Sequence, residues 1–411
     1  MREQGAGVRK TEATALADVK VLDLSWALVG PAAMRVLGDF GATVVRVESS
    51  VRIDPVRAGP PFWRGEPGTE RSANVVNYNV NKRMIQLDLG NPQAREVLLQ
   101  LVDWCDIAIE SFVPGVMERW NLHYEMLRAR KPDLIMLSTC LNGQTGPDRT
   151  GAGYGVGGAA RAAMIEVLGW PDRDPSLARA YTDYTASRMV TIAALAALDH
   201  RRRTGEGQYI DLSQVEASIP FLGPAVLEAS VNGRVLRRRG NRVPGVAPHG
   251  VFACAGEDRW IAIAVESEAE WQALCAVAGQ GWAVDERFVD VATREANQDA
   301  LEASIGAWTS GREAQALEAA LQAAGVAAHA VLDSLEGDKD GQLQAVKHFV
   351  EIESSDLGTI PVENSRQRLS RTPSDPRWVG TYGEDNDYVL RELLGLDDAA
   401  IAEIAASGAL Q

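Results

Sequence analysis

The sequence predicts an α/β fold in which a mostly parallel sheet carries helices on its faces. Short apolar runs rich in Val, Ile and Leu alternate with amphipathic helical segments, and turn residues separate them. The chain has 411 residues, more than one ordinary domain contains, and its composition changes at about residue 225. We therefore expect a large domain with a parallel sheet and a second, smaller domain.

The first strand–helix–strand unit lies near the N-terminus. The run VKVLDL (19–24) predicts a buried strand, and ATVVRVE (42–48) predicts a second one. Between them, GPAAMRVLGDFG (30–41) predicts a helix with Pro31 in its first turn, where proline is well tolerated. A crossover helix between two strands is typical of a parallel sheet.

The same alternation continues as far as residue 140. We predict a helix for REVLLQLVDWC, a strand for DIAIESF, a helix for YEMLRARKP and a strand for LIMLSTC. A stretch with seven glycines between 143 and 158 follows, where backbone can approach a ligand closely. Parallel sheets bind ligands at the carboxyl ends of their strands, so we expect functional residues in the loops after strands.

The second half of the chain predicts the smaller domain. A helix is predicted at 184–200, and VFACAGEDRWIAIAV then predicts a hairpin with its turn at 256–258. Two helical segments follow, EAEWQALCAVAG and REAQALEAALQAAG, and a last helix is predicted in DNDYVLRELLGL. We expect a smaller domain at 225–335, inserted between two parts of the large domain at 19–224 and 336–411.

The charge and the hydropathy pattern exclude several classes of protein. With 41 basic and 56 acidic residues the net charge is −15, so we expect neither nucleic acid nor a membrane surface as a partner. An anionic ligand must then be held by a local group of basic residues. The longest apolar run, MVTIAALAAL, is shorter than the ~20 residues that span a bilayer, and the N-terminal segment lacks a signal core. We expect a cytoplasmic protein.

Common cofactor and nucleophile motifs are missing from the sequence. Its four cysteines and five histidines are widely spaced and follow no metal-ligand pattern, so we expect neither a metal site nor disulfides. The glycines of GAGYGVGG do not have the GxGxxG spacing of a dinucleotide site, and no GxSxG motif of a hydrolase is present. The basic run Arg237–Arg239 is interpreted as a solvated loop.

Asp183 stands among hydroxyl-bearing and small residues in ARAYTDYTASRM (178–189), just ahead of the predicted helix. An aspartate at this place is a good N-cap, because its carboxylate accepts hydrogen bonds from the first backbone N–H groups of the helix. On the local pattern alone, the N-cap interpretation is favoured over a catalytic one.

Several segments, in order along the chain, resemble the family III CoA-transferases, a group that includes formyl-CoA, carnitine and benzylsuccinate CoA-transferases. They are VLDLSWALVGPAAMRVLGDFGATVVRVE, NYNVNKRMIQLDLGNPQAREVLLQLVDWCDIAIESFVPGVMERWNL, LSTCLNGQTGP, RRRTGEGQYIDLSQVEA and VLRELLGL. The resemblance covers about residues 20 to 400. It places Asp183 where the family carries a nucleophilic aspartate.

The resemblance implies coenzyme A, as acyl-CoA, for a substrate, and no metal. It implies that an acyl-aspartyl anhydride and an aspartyl-CoA thioester form on Asp183, which suits a carboxylate that is ionised at neutral pH. A groove for CoA is implied between the loop after the first strand, the NKR segment and the ESFVPGVMER segment. The binding residues carried over are Leu28, Val29, Asn81, Lys82, Arg83, Phe112, Arg119 and Tyr154.

The family further implies a Rossmann-like large domain built from both chain ends, and an interlocked homodimer. Pairing with a related chain in a hetero-oligomer is the alternative assembly, and a non-catalytic subunit is an alternative function that the presence of Asp183 argues against. A racemase of α-methylacyl-CoA is the other alternative, but this chain has Tyr154 where that enzyme carries a histidine acid–base. The acid and the acyl-CoA donor stay open.

Overall fold

The computed structural model describes residues 14–411, which fall into two compact units. The first unit consists of residues up to Ala163 together with Ala178–Pro224 and Gln342–Gln411. The second consists of Met164–Leu177 and Ala225–Gly341. The domain limits at 225 and 335 stay a prediction.

A six-stranded parallel sheet forms the centre of the first unit, in the order β3–β2–β1–β4–β5–β6. The strands are β1 (Lys20–Asp23), β2 (Thr43–Glu48), β3 (Lys82–Gln86), β4 (Ile107–Glu110), β5 (Ile135–Cys140) and β6 (Gln208–Ser213). This order reverses direction between β1 and β4, as in doubly wound nucleotide-binding folds. The α/β fold with a mostly parallel sheet is confirmed, and β3 and β6 are strands that the sequence analysis missed.

Helices cover both faces of this sheet because its strands are apolar on both sides. One apolar core contains Leu22, Val45 and Leu98, and a second one, across the sheet, contains Val21, Val44 and the buried face of a long helix. The helices of the first unit are Val29–Asp39, Ala73–Tyr78, Pro92–Trp104, Val116–Arg119, Tyr124–Arg130, Gly155–Arg161, Tyr181–Thr204, Gln214–Ser218, Asn386–Tyr388 and Asp398–Ala406, with short 3-10 helices at Pro55–Ala58, Trp63–Gly65 and Ile219–Leu222 and a π-helix at Val389–Leu393.

Two helix limits differ from the prediction near the glycine-rich stretch. The long helix begins at Tyr181 and ends at Thr204, so it includes the hydroxyl-rich segment that was predicted to precede it. The last glycines of the stretch form the helix Gly155–Arg161 instead of a loop. The side-chain hydroxyl of Thr182 donates to the carbonyl oxygen of Gly155 at 3.0 Å and joins these two helices at their N-terminal ends.

The second unit has its own sheet and core. Strands β7 (His249–Ala253), β8 (Trp260–Ala264) and β9 (Ala327–Ala330) are antiparallel, which confirms the predicted hairpin. Its core includes Trp271, Phe288 and Trp308. The remaining helices of the chain are Met164–Val167, Gly223–Asn232, Glu268–Ala278, Val291–Ala296, Gln298–Thr309, Ala314–Ala323, Ser334–Lys339 and Gly341–Ala345, with a 3-10 helix at Gly281–Val284.

The C-terminal part of the first unit adds a small sheet. Its strands are β10 (Phe349–Ser354), β11 (Gly358–Glu363) and β12 (Trp378–Val379), in the order β11–β10–β12. All four cysteines are free and buried. Among residues 14–411, the structure has no helix that combines the length and the hydropathy needed to cross a bilayer.

Candidate active site

A cavity of about 480 Å³ lies at the carboxyl ends of the six parallel strands, within the first unit. Residues that end or follow every strand of the central sheet line it: Leu24, Glu48, Leu87, Ser111, Cys140 and Gln214. A cavity of this size is typical of small-molecule and cofactor sites. The position is the one that the parallel topology favours for ligand binding, because loops diverge there at the reversal of strand order.

The loop after β1 forms one wall of the cavity and is held in an unusual conformation. Ala27 has a φ of 61°, in the left-handed region that costs a residue with a Cβ atom about 1 kcal/mol or more. The carboxylate of Asp54 accepts the Ala27 N–H at 3.0 Å, and the hydroxyl of Ser111 accepts the Trp26 N–H at 2.7 Å. These hydrogen bonds stabilise the turn that places Leu28 and Val29 on the cavity wall.

Aromatic rings extend this wall. Phe112 packs edge-to-face against Trp26 and Trp120, with ring centroids 5.7 Å and 5.3 Å apart. Together with apolar side chains such as Val113 and Val116, they give the cavity a largely apolar lining. Such a lining accommodates the apolar and aromatic parts of a ligand.

Asp183 lies on the same cavity, inside the first turn of the helix Tyr181–Thr204. Ala180 is the N-cap residue of that helix, and the Asp183 N–H donates to its carbonyl oxygen at 3.0 Å, so the N-cap interpretation of Asp183 is wrong. Burial raises the pKa of the Asp183 carboxyl to about 6. No described residue forms an ion pair with this carboxylate, which leaves it available to a ligand.

Backbone from the glycine-rich stretch lies directly against the Asp183 carboxylate. A Cβ atom at Gly155 would collide with Oδ2 of Asp183 and would lie 3.0 Å from Cα of Ala180. Gly153 and Tyr154 line the cavity beside it, and the Tyr154 side chain is 70% exposed. Any side chain at residue 155 would therefore clash with the Asp183 carboxylate in its present position, and glycine avoids this clash.

Two other candidate nucleophiles on the cavity wall, Cys140 and Glu48, are less suited to react. Burial raises the pKa of the Cys140 thiol to about 11, so the reactive thiolate is scarce at neutral pH. Burial acts to raise the pKa of Glu48 as well, but Arg46 and Arg57 outweigh it and hold that pKa at about 2. Glu48 accepts hydrogen bonds from both guanidinium groups at 2.6 Å. Of the three groups, the Cys140 thiol is largely protonated and Glu48 is paired with two arginines. Asp183 is ionised at neutral pH and has no cation paired with it among the described residues.

The structure brings five of the predicted site residues together: Leu28, Val29, Phe112, Tyr154 and Asp183. It does not bring the NKR segment to this cavity. Residues 81–83 stand at the amino end of β3, whereas the cavity lies at the carboxyl ends of the parallel strands.

The three residues of the NKR segment have other partners in the structure. Lys82 is fully buried, and its ammonium group donates to Asp23 at 2.9 Å and to the Pro31 carbonyl oxygen at 2.9 Å. Asn81 and Arg83 line a second cavity, of about 120 Å³. Whether any of the three affects CoA binding stays a prediction.

Arg119 lies three residues after Val116, which lines the cavity, but Arg119 itself is not one of the described lining residues. It ends the short helix Val116–Arg119, whose first residue does line it. The Arg119 side chain is exposed. Its predicted contact with CoA phosphates stays a prediction.

Two cations on the cavity wall were missed by the sequence analysis. Arg52 follows β2, and its guanidinium carbon lies 5.7 Å from the ring centroid of Trp26. Arg149 lies in the glycine-rich loop that follows β5. The only sequence signal for them is their position in loops that follow strands, which many other charged residues share.

The chain is similar in sequence to a protein family and to named proteins over most of its length. The family model described as "CoA-transferase family III" matches residues 16–386. The chain is 32% identical over 394 residues to a protein named succinyl-CoA–D-citramalate CoA-transferase from Chloroflexus aurantiacus, covering 95% of this chain and 97% of that protein. It is 31% identical to the beta subunit of succinyl-CoA–L-malate CoA-transferase from the same organism, covering 95% and 96% of the two chains.

A solved structure has the same fold. It is a CAIB/BAIF family protein from Brucella suis, 30% identical in sequence, which superimposes with a TM-score of 0.85 over 93% of this chain and 100% of that one.

Proposed function

Since the chain belongs to CoA-transferase family III, we propose that it moves CoA from an acyl-CoA donor to a free carboxylic acid, with Asp183 as the nucleophile. The observation that carries this proposal is the position of Asp183: a partly buried carboxylate on the wall of the main cavity, with no ion-pair partner among the described residues.

The exchange proceeds through four balanced steps. A carboxylate oxygen of Asp183 attacks the thioester carbonyl carbon, the C–S bond breaks, and an acyl-aspartyl anhydride and the CoA thiolate result. The thiolate attacks the aspartyl carbonyl, releases the donor acid as its carboxylate and leaves an aspartyl-CoA thioester. The acceptor carboxylate then displaces the thiolate from the aspartyl group. The thiolate finally attacks the acyl carbonyl of the new anhydride, which forms the product acyl-CoA and regenerates Asp183.

No proton has to be transferred in this cycle, which fits a cavity whose described lining residues include no histidine. The pKa of about 6 leaves Asp183 mostly ionised at pH 7 while making its oxygen more basic than that of an exposed aspartate. Once a ligand fills the cavity, the apolar wall around Phe112 and Trp26 limits the access of water that would hydrolyse the anhydride.

We propose dicarboxylic acids of four or five carbons as the acids exchanged. Two of the similar proteins are named for succinyl-CoA as donor and for D-citramalate or L-malate as acceptor, and all of these acyl groups carry a second carboxylate. A racemase is not favoured, because Tyr154 replaces its histidine and a phenol is a weak base at neutral pH.

We also propose that the protein works as an interlocked dimer, either of identical chains or with a related second chain. Ile192 and Leu195, on the helix Tyr181–Thr204, are 61% and 40% exposed and supply apolar surface for such an association. Two similar proteins are named as the beta and the alpha subunit of succinyl-CoA–L-malate CoA-transferase, which supports pairing with a related chain.

The nucleophile is tested by trapping during turnover. Trypsin cuts after Arg179 and Arg188, and the peptide between them contains Asp183 as its one carboxylic side chain. With succinyl-CoA and hydroxylamine present, this peptide should carry a hydroxamate on Asp183, because the anhydride and the thioester are both electrophilic.

The controls for this trapping experiment omit succinyl-CoA or use Asp183→Ala, which should abolish transfer. CoA exchange by Asp183→Ala at a rate comparable to wild type, or trapping at another carboxylate, would refute the assignment.

A further inference from the structure

Arg52 and Arg149 are the two cations among the described residues that line the main cavity. In a chain of net charge −15, an anionic ligand depends on such local cations. No described residue forms an ion pair with either guanidinium group, in contrast to the buried Arg46 and Arg57, which both pair with Glu48. Both side chains are therefore free to bind anionic groups of a ligand.

The turn that carries Arg149 is held in place by its neighbours. The side-chain amide of Asn142 donates to the carbonyl oxygens of Asp148 and Gly151, at 3.0 Å and 3.2 Å, and the Gly151 N–H donates to Asp148 at 2.9 Å. The adjacent acid, Asp148, pairs with Arg161 at 2.7 Å. The turn that carries Arg149 is therefore held by hydrogen bonds. Its neighbouring carboxylate, Asp148, is paired with Arg161 and does not compete for Arg149.

The order of the strands separates the two loops that carry these arginines. Arg52 follows β2 and Arg149 follows β5, and three steps between strands separate β2 from β5. Three steps amount to about 14 Å at the usual spacing of ~4.8 Å. The loop of Arg149 runs directly into Tyr154 and Gly155, which lies against Asp183.

An acyl-CoA bound for attack by Asp183 has its thioester at that carboxylate and its phosphates at the far end of the molecule. Arg149, on the loop that leads to Gly155 and Asp183, is then the cation nearer the acyl group in this arrangement, and Arg52, on the loop after β2, is the one nearer the phosphates. We infer that Arg149 binds the second carboxylate of a dicarboxylic acid or acyl group and selects for it, while Arg52 binds phosphate groups of CoA. This inference rests on the proposed function.

The test compares Arg149→Ala with Arg52→Ala as its matched control, because each variant removes one of the two cations that line the cavity. Loss of a charge-assisted hydrogen bond corresponds to about a 10- to 100-fold change in affinity. In Arg149→Ala, the KM for succinate as acceptor should rise by about that factor relative to the KM for butyrate, which has the same number of carbons and one carboxylate. The affinity for free CoA, measured by calorimetry, should change less than about twofold in that variant. Arg52→Ala should show the opposite pattern, with weaker binding of free CoA and no change in the preference for succinate.

Arg149→Lys separates charge from geometry, since it keeps the cation but loses the bidentate guanidinium, and should restore part of the preference for succinate. A tenfold loss of free CoA affinity in Arg149→Ala, or equal effects on succinate and butyrate, would overturn the inference while transfer itself persists. Wild-type protein that transfers CoA to no carboxylic acid would overturn the proposed function, and this inference with it.

Discussion

Replacing Asp183 by Asn should stabilise the protein at pH 7 while it abolishes CoA transfer. Burial raises the pKa of this carboxyl from 3.8 to about 6, so the folded state binds a proton more tightly than the unfolded state does. The ionised carboxylate is thus held in an environment that disfavours its charge. An amide of nearly the same shape carries no charge, and the variant avoids this cost.

The sign of the pH dependence follows from proton binding. Between about pH 3.8 and pH 6 the folded wild-type protein holds more protons at Asp183 than the unfolded chain, so its stability falls as pH rises through this window and is constant above it. The variant does not titrate at this position. The stability difference between variant and wild type should therefore be small below pH 4, reach about half its full size near pH 5 and level off by pH 7.

The magnitude follows from the same shift. Two pKa units correspond to about 3 kcal/mol at pH 7, which is an upper limit. Asp183 faces a cavity that is open to solvent, and screening there reduces the cost by about half. In the wild-type protein the helix dipole stabilises the Asp183 carboxylate by about 0.5 kcal/mol, because the residue lies in the first helical turn. The uncharged Asn side chain lacks this stabilisation. We expect a net gain of about 1 kcal/mol for Asp183→Asn at pH 7.

The measurement is urea unfolding of both proteins at pH 5 and pH 8 at equal protein concentration, because association adds to apparent stability. Transfer from succinyl-CoA to L-malate is assayed in parallel. A variant that is less stable than wild type at both pH values would show that the carboxylate stabilises the first helical turn and that its burial is not costly. A variant that still transfers CoA would show that Asp183 is not the nucleophile.

Two further predictions concern the buried ion pair of Lys82 with Asp23 and the oligomeric state of the protein. Lys82→Ala should lower the free energy of unfolding by about 3 kcal/mol, because it leaves Asp23 buried with only the more distant Arg46 as a charge partner. The CoA affinity of the folded variant tests separately whether Lys82 belongs to the CoA site. An intact fold with weakened CoA binding would instead put Lys82 in the CoA site. In sedimentation at low micromolar concentration the protein should show no monomer, since interlocked chains separate only by unfolding; a reversible monomer–dimer equilibrium would contradict interlocking.

Most of the central sheet could be predicted because β1, β2, β4 and β5 are short runs rich in apolar residues, with predicted helices between most of them. The two strands that were missed lack this signal. β3 begins with Lys82 and Arg83, and β6, at the edge of the sheet, alternates half-buried and exposed residues. Their pairing depends on neighbouring strands, so their own sequences carry little of the information.

The sequence by itself determined the fold class, because the alternation of strands and helices depends on patterns of consecutive residues. Its resemblance to a known family pointed to Asp183 and to the loop of Leu28 and Val29 through short segments of the same kind. Only the tertiary structure decided which cations face the cavity. Lys82 was assigned to the CoA site from the sequence, and the structure shows it fully buried against Asp23, the last residue of β1, and outside the described lining of the main cavity. Arg52 and Arg149 are 97 positions apart in the chain and share one cavity only because parallel strands bring the loops at their carboxyl ends to the same edge of the sheet.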